Sequence, residues 1–133
     1  MTSTNPTVWP TLQAHDAPKL IDYCVNTFGM VLAARYGEGD TVDHAQLLWP
    51  EGSGGIMLGS YRPCAEWCRE PGTAGAYIVT ADPSALFDRV RAHGADIVRE
   101  LAVTDYGANE FAVRDPEGNL WSFGDYRGEP LPS

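Results

Sequence analysis

The sequence predicts an α+β fold built from two βαβββ repeats. The first observation behind this prediction is that three blocks of sequence recur at a spacing of 65 or 66 residues, about half the chain. Similarity at a fixed spacing is the signature of a duplicated unit. The second is that strand-like and helix-like patterns follow in the same order in both copies. The aligned blocks are residues 16–22 with 82–88, 50–52 with 116–118, and 58–61 with 123–126.

The chain length limits how these units are arranged. With 133 residues and a mass of 14.5 kDa, the sequence has room for one ordinary domain and not for two independent ones. We therefore expect a single domain over residues 1–133. It divides into a first unit over residues 8–61, a linker over 62–74 and a second unit over 75–126.

Each unit is predicted to run strand, helix, strand, strand, strand. Turns rich in glycine, proline and aspartate separate these segments. In the first unit the strands are predicted over residues 8–14, 30–36, 43–49 and 55–60. In the second unit they are predicted over residues 75–81, 96–103, 109–114 and 120–125.

Both helices have start and stop signals. Asp16 and Asp82 are predicted N-caps, each followed by a proline in the first turn, where a missing N–H removes no helical hydrogen bond. Gly29 and Gly94 are predicted to end the helices. Between these limits, apolar side chains recur at helical spacing, which predicts one buried stripe on each helix.

Alternation along the strands divides their residues between two faces of each sheet. One face packs against the helices and forms the core. It is predicted to hold Leu12, Ala14, Ala45, Leu47, Ile56, Leu58, Ile78, Phe111, Val113, Trp121 and Phe123. The opposite face mixes aromatic, polar and ionisable side chains, which is typical of a pocket wall. It is predicted to hold Trp9, Thr11, Gln13, His44, Gln46, Met57, Gly75, Tyr77, Glu110, Ala112, Leu120 and Ser122.

The charge balance restricts the partners. Nine Lys and Arg against 18 Asp and Glu give a net charge of -9, which repels nucleic acid and anionic membranes and favours a neutral or cationic small molecule. No apolar run approaches the roughly 20 residues that cross a bilayer. The first residues lack a secretory pattern and the three cysteines are odd in number, so we expect a cytoplasmic protein.

The paired units resemble the vicinal oxygen chelate superfamily, which includes glyoxalases, bleomycin-resistance proteins and extradiol dioxygenases. The residues that carry the resemblance are the Asp-Pro-Glu-Gly-Asn-Leu-Trp phrase at residues 115–121 and the Phe28-Gly29 pair that ends the first helix. The resemblance covers about residues 8–126. It implies two curved mixed sheets around a shared cleft, and a homodimer.

Enzymes of that superfamily hold a metal ion on the first and last strands of each unit. The corresponding positions in this sequence are Trp9, Gly75, Met57 and Ser122. Divalent cations prefer carboxylate, imidazole or thiolate ligands, and none of these four residues supplies one. The chain is therefore similar to a branch without the usual metal ligands, and we expect neither a metal nor another cofactor.

His44 and its repeat counterpart Glu110 are the candidate catalytic residues. An imidazole and a carboxylate that met in the cleft could act as an acid and base pair. The alternative is that His44 is an ordinary half-exposed strand residue. In the linker, Cys64 and Cys68 lie four residues apart, but too few further ligands accompany them for a structural zinc site.

The predicted ligand-binding residues are the polar and aromatic members of the open faces, together with Trp67 of the linker as a lid or dimer contact and Tyr106 of a bordering loop. Aromatic rings and thioethers suit a flat or apolar ligand. The set comprises Trp9, Thr11, Gln13, His44, Gln46, Met57, Trp67, Tyr77, Tyr106, Glu110 and Ser122.

The leading functional hypothesis is a metal-independent protein that binds an antibiotic or another aromatic or cationic small molecule. The main alternative is an enzyme with a non-standard site: a glyoxalase-like lyase, isomerase or transferase, or a relative of the dioxygenases. A structural or regulatory dimer with a cleft filled by its own side chains is the third. Fold alone does not choose between them.

Overall fold

The computed structural model describes residues 6–63 and 66–132 and confirms the α+β fold with two βαβββ-like repeats. Residues Cys24–Phe28 continue the first helix as a wider, π-type turn. The elements follow in the order β1 (Thr11–Ala14), α1 (Ala17–Tyr23), β2 (Val31–Glu38), β3 (Thr41–Leu48), β4 (Gly55–Ser60), β5 (Gly75–Val79), α2 (Pro83–Ala92), β6 (Asp96–Val103), β7 (Asn109–Arg114) and β8 (Leu120–Gly124).

The strands form two four-stranded mixed sheets with the same topology. The first sheet has the order β1-β4-β3-β2 and the second has the order β5-β8-β7-β6. In each sheet the first strand of the unit pairs in parallel with the last, and the other pairs are antiparallel. Thr11 lies opposite Met57, and their counterparts Tyr77 and Ser122 lie opposite each other as well.

Most predicted boundaries agree with the structure, and β4, β6 and β7 have the predicted bounds. The largest difference is at the start of the chain, where β1 begins at Thr11 although a strand was predicted from residue 8. Pro10 explains part of the difference, because it has no N–H to donate to a neighbouring strand. Its carbonyl still accepts a hydrogen bond from the Met57 N–H, at 3.0 Å.

The helix termini are those that the sequence predicts. Asp16 Oδ1 accepts a hydrogen bond from the Lys19 N–H at 3.1 Å, and Asp82 Oδ1 accepts one from the Ala85 N–H at 3.0 Å. Each of these bonds satisfies an N–H of the first helical turn. At the other end Gly29 has φ +83°, a left-handed conformation in which a side chain is strained.

The two repeats share one hydrophobic core. All eleven residues predicted to face the helices are buried, and they belong to a single cluster that contains side chains from both repeats. Phe28 joins the halves, since its ring centroid lies 5.2 Å from that of Trp121 and 4.9 Å from that of Phe123. Within the described residues, no helix is long and apolar enough to cross a membrane.

A pair of glutamates from the repeated Pro-Glu-Gly triplets also links the halves. The Glu117 carboxylate accepts hydrogen bonds from the N–H groups of His15 and Asp16, both at 2.9 Å, at the start of α1. Its counterpart Glu51 accepts a hydrogen bond from the Ala81 N–H at 2.7 Å, just before α2. Each repeat therefore supplies a carboxylate to the helix N-terminus of the other.

The loop before β8 is organised around Asp115, which is 4% exposed. Asp115 Oδ1 accepts hydrogen bonds from the N–H groups of Glu117, Gly118 and Asn119 at 2.8 to 3.0 Å. Asp115 Oδ2 accepts two more, from Asn119 Nδ2 at 2.9 Å and Trp121 Nε1 at 2.8 Å. The Asp-Pro-Glu-Gly-Asn-Leu-Trp phrase is thus a structural motif, in which one carboxylate fixes the turn and the following core tryptophan.

Candidate functional site

A hollow with a partly polar wall lies on the open face of the first sheet, meaning the face turned away from the shared core. It is a cavity of about 590 Å³ whose wall comes from β1, β3, β4 and the linker. We call it the linker cavity. Five of the predicted ligand-binding residues line it: Thr11, Gln13, His44, Met57 and Trp67.

A second hollow adjoins the linker cavity on the same open face. It has a volume of about 690 Å³, and its wall includes the predicted residues Trp9 and Gln46. Met57 lines both hollows, so they are neighbours on either side of its thioether. The first open face therefore offers a long, partly apolar surface to one ligand or to two.

His44 is half-buried in the wall and has two neighbours in the first sheet. Its Nε2 lies 2.9 Å from the Gln46 amide nitrogen, and its ring stacks on Tyr36 with centroids 6.2 Å apart. An amide nitrogen only donates hydrogen bonds, so the His44 Nε2 is the acceptor.

Trp67 is the most exposed aromatic residue of the wall. It is 78% exposed although it lines the cavity, because it belongs to the linker and is not packed into either sheet. Large exposed aromatic surfaces mark interaction sites more often than ordinary surface. Cys64, the other linker residue singled out in the sequence, lies outside the described residues, and the Cys68 thiol donates a hydrogen bond to the Pro63 carbonyl at 3.6 Å.

Three charged residues of the wall were not predicted from the sequence. Arg62 forms an ion pair with Asp43, and the Arg69 N–H donates a hydrogen bond to Gln13 Oε1 at 3.2 Å. Two of these residues come from the linker, where no periodicity shows which way a side chain points. The wall thus carries two guanidinium groups and one carboxylate, a balance opposite in sign to the net charge of the chain.

The open face of the second sheet has a different arrangement, centred on Glu110. This carboxylate is 4% exposed, and its Oε2 accepts hydrogen bonds from the Tyr77 hydroxyl at 2.8 Å and the Tyr106 hydroxyl at 2.7 Å. Burial and the bond to Glu110 together raise the pKa of Tyr77 to about 12. Gly124 leaves the space that this pair needs, since a Cβ there would lie 2.3 Å from the Tyr77 hydroxyl oxygen.

The structure places His44 and Glu110 on the open faces of different sheets. The hydrogen-bond partner of His44 is in the first repeat, and those of Glu110 are in the second. Neither of the two hollows on the first open face has Glu110 in its wall. Their action as an acid and base pair stays a hypothesis, as does a ligand contact at Ser122, which lies half-buried beside Tyr77 in β8.

The four positions that correspond to the superfamily's metal ligands do not fit a metal ion. Trp9 and Met57 offer an indole and a thioether, Gly75 has no side chain, and Ser122 offers a neutral hydroxyl. Hard and borderline divalent cations bind such groups poorly. Among residues 6–63 and 66–132, no three His, Cys, Asp or Glu side chains are grouped so that they could hold a metal.

Comparison with known proteins identifies the class of this fold. Residues 7–123 match the family model described as Glyoxalase/Bleomycin resistance protein/Dioxygenase superfamily. Because this match covers most of the chain, the protein belongs to that superfamily. A search of curated protein sequences gave no significant match.

Solved structures with the same fold are numerous, and three illustrate the range. TioX from Micromonospora sp. ML1 is 30% identical, with a TM-score of 0.77, and the alignment covers 91% of this chain and 98% of TioX. A superfamily member from Sphaerobacter thermophilus DSM 20745 is 19% identical, with a TM-score of 0.75 and coverage of 95% and 98%. TnmS3 from Streptomyces sp. CB03234, described as an antibiotic binding protein, is 19% identical, with a TM-score of 0.73 and coverage of 94% and 98%.

Proposed function

We propose that this protein binds a small aromatic molecule of the antibiotic type in the linker cavity, without a metal and without altering the ligand. The observation that carries the proposal is the cavity itself, a hollow of about 590 Å³ with an exposed Trp67 and the Met57 thioether in a partly polar wall. Ligand pockets of this size hold drug-sized molecules. Indole and thioether groups suit a flat apolar ring, and Gln13 and His44 add hydrogen-bonding groups.

Two further points support a binding role. The positions of the superfamily metal site carry residues that do not suit a metal, and sequestration needs affinity without Lewis-acid chemistry. The choice of an antibiotic as ligand is motivated by TnmS3, which shares the fold and is described as an antibiotic binding protein. At 19% identity that likeness concerns the fold alone, so the ligand class requires a direct test.

Trp67→Ala is expected to weaken ligand binding about tenfold or more, since exposed aromatic anchors in a pocket contribute most of the binding free energy. Isothermal titration calorimetry against a panel of aromatic antibiotics first identifies a ligand of the wild-type protein. Trp67→Phe is the matched control, because it keeps an aromatic ring at the same position and should retain most of the affinity. Equal affinity of the wild type and Trp67→Ala would contradict this site, and no binding across the panel would contradict the antibiotic hypothesis.

The second candidate function is an enzyme of the glyoxalase-like group that uses a non-standard site. The observation in its favour is His44, a half-buried imidazole in a cavity wall that also carries guanidinium groups. Such a ring could accept a proton while a nearby cation stabilises a developing negative charge.

Mass spectrometry of an identified ligand after incubation with the protein separates the two functions. The binding proposal expects the ligand to be recovered unchanged from the wild type and from His44→Gln. A product formed by the wild type and lost in His44→Gln, with binding retained, would instead establish the enzyme. Elemental analysis of the same preparation shows whether an ion is recruited through unusual ligands.

We propose in addition that the protein acts in the cytoplasm as a homodimer, as the superfamily resemblance implies. Three tyrosines of the second repeat, Tyr77, Tyr106 and Tyr126, are exposed. The hydroxyls of Tyr77 and Tyr106 bind the buried Glu110, and the Tyr126 ring packs on Tyr106 with centroids 5.3 Å apart. A second copy could cover this aromatic surface, which a monomer leaves in water. Light scattering during size-exclusion chromatography measures the assembly directly.

A further inference from the structure

The charges of the linker cavity are unusual for this chain. Acidic residues outnumber basic ones by two to one in the sequence, yet two of the nine Lys and Arg residues, Arg62 and Arg69, lie in this one wall. The carboxylate in the same wall is Asp43, which forms an ion pair with Arg62. Asp43 therefore neutralises the charge of Arg62, and the positive charge of Arg69 has no carboxylate partner in this wall.

Arg69 is the uncompensated cation. Its Nη2 donates a hydrogen bond to the Thr73 carbonyl at 3.3 Å, and no carboxylate of the described residues lies within ion-pair distance of it. A guanidinium has five N–H donors in a planar fork that matches the two oxygens of a carboxylate. Most of these donors remain available to a ligand.

The backbone of Arg69 is also held near the first sheet by a hydrogen bond. Its backbone N–H donates to Gln13 Oε1 at 3.2 Å, which ties the linker to β1 at the cavity wall. Trp67, two residues earlier, lies in the same wall. Trp67 and Arg69, two residues apart in the linker, thus both line the same hollow.

We infer that the ligand of the linker cavity is an aromatic acid, with its ring system against Trp67 and Met57 and its planar anionic group on Arg69. This inference rests on the proposed function and adds the charge of the ligand to it. It differs from the expectation drawn from the net charge, which favoured a neutral or cationic molecule.

The local charge outweighs the net charge for a simple reason. Exposed charges farther away than about 8 Å are largely screened at physiological salt. A charge-assisted hydrogen bond between groups in direct contact is screened much less. Such a bond is roughly twice as strong as a hydrogen bond between neutral groups. A cationic ligand in this cavity would instead meet the uncompensated guanidinium charge of Arg69.

Matched triplets of two- and three-ring aromatic compounds test the inference by calorimetry. Each triplet has one ring system that bears a carboxylate, a carboxamide or an aminomethyl group, for example 2-naphthoate with its amide and amine. We expect the acid to bind at least about tenfold more tightly than the amide, and the amine more weakly than either. We expect Arg69→Gln to abolish the preference for the acid, because the substitution should lower the affinity for the acid by a larger factor than the affinity for the amide.

Two further variants complete the design. Arg69→Lys keeps the charge but not the fork, so it should restore part of the preference, and Arg127→Gln, in the exposed C-terminal tail, should leave it intact. Equal or tighter binding of the amide or amine, or an unchanged preference in Arg69→Gln, would overturn the inference and leave the proposed function standing. Failure of every compound to bind would count against the proposed function itself.

Discussion

Trp121→Ala is expected to lower the free energy of unfolding by about 3–5 kcal/mol, the range observed when a large aromatic side chain is removed from a core. Trp121 is 1% exposed, its ring packs on Phe28, and its Nε1 donates to Asp115 at 2.8 Å. The substitution removes the contact of Trp121 with Phe28, which joins the two repeats. It also removes one of the two side-chain donors to Oδ2 of the buried Asp115. Since small domains have only about 5–15 kcal/mol in total, this loss is a large fraction of the stability of the protein.

Trp67→Ala is the matched control for this prediction, because it removes the same side chain from a position that is 78% exposed. Its unfolding free energy should stay within about 0.5 kcal/mol of the wild type. Urea denaturation followed by circular dichroism measures both variants without relying on tryptophan fluorescence. If Trp121→Ala does not fold, Trp121→Phe, which keeps a ring but lacks the indole N–H, should still show a loss of about 1–2 kcal/mol. Equal losses in Trp121→Ala and Trp67→Ala would contradict the assignment of Trp121 to the core.

Asp115→Asn is expected to destabilise the protein by about 3 kcal/mol or more, although the two side chains have nearly the same shape. An amide at residue 115 keeps one oxygen for the N–H groups of the turn. In the wild type, Asn119 Nδ2 and Trp121 Nε1 donate to Asp115 Oδ2 at 2.9 and 2.8 Å. In the variant these two donors face the amide nitrogen, which cannot accept a hydrogen bond. Two buried donors lose their acceptor, and each such loss costs about 1–3 kcal/mol.

A double-mutant cycle of Asp115→Asn with Trp121→Phe checks the mechanism. The phenylalanine has no N–H to be left without an acceptor, so the combined loss should be smaller than the sum of the separate losses. Asp88→Asn, at an exposed position of α2, is the control and should change stability by less than about 0.5 kcal/mol. Strict additivity in the cycle would show that Asp115 acts independently of Trp121.

The fold could be predicted from the sequence because its determinants are local and repeated. The N-cap aspartates, the glycine after the first helix and the alternation along the strands each act over a few residues. Duplication then supplied every determinant twice. The roles of Glu51 and Glu117 were not predicted, although their triplets were aligned, because nothing in a sequence shows that a loop carboxylate reaches the helix of the other half.

The candidate site was only partly predictable. Residues on strands, such as His44 and Met57, could be assigned to a face by counting, and five predicted residues lie in one cavity. Arg62 and Arg69 could not be assigned, since linker residues follow no period. The sign of the charge in the cavity depends on these two residues, so the composition pointed to a ligand charge opposite to the one that we infer from the cavity.

The exchange of glutamates between the repeats bears on how such a chain could arise. In a single ancestral unit, the amides now bound by Glu51 and Glu117 would have been left to water or to an acid from outside that unit. A second identical molecule related by a twofold axis could have provided this acid, with each subunit binding the helix N-terminus of the other through its own glutamate. Gene fusion would then have preserved, inside one polypeptide, a contact that began as an interface between separate proteins.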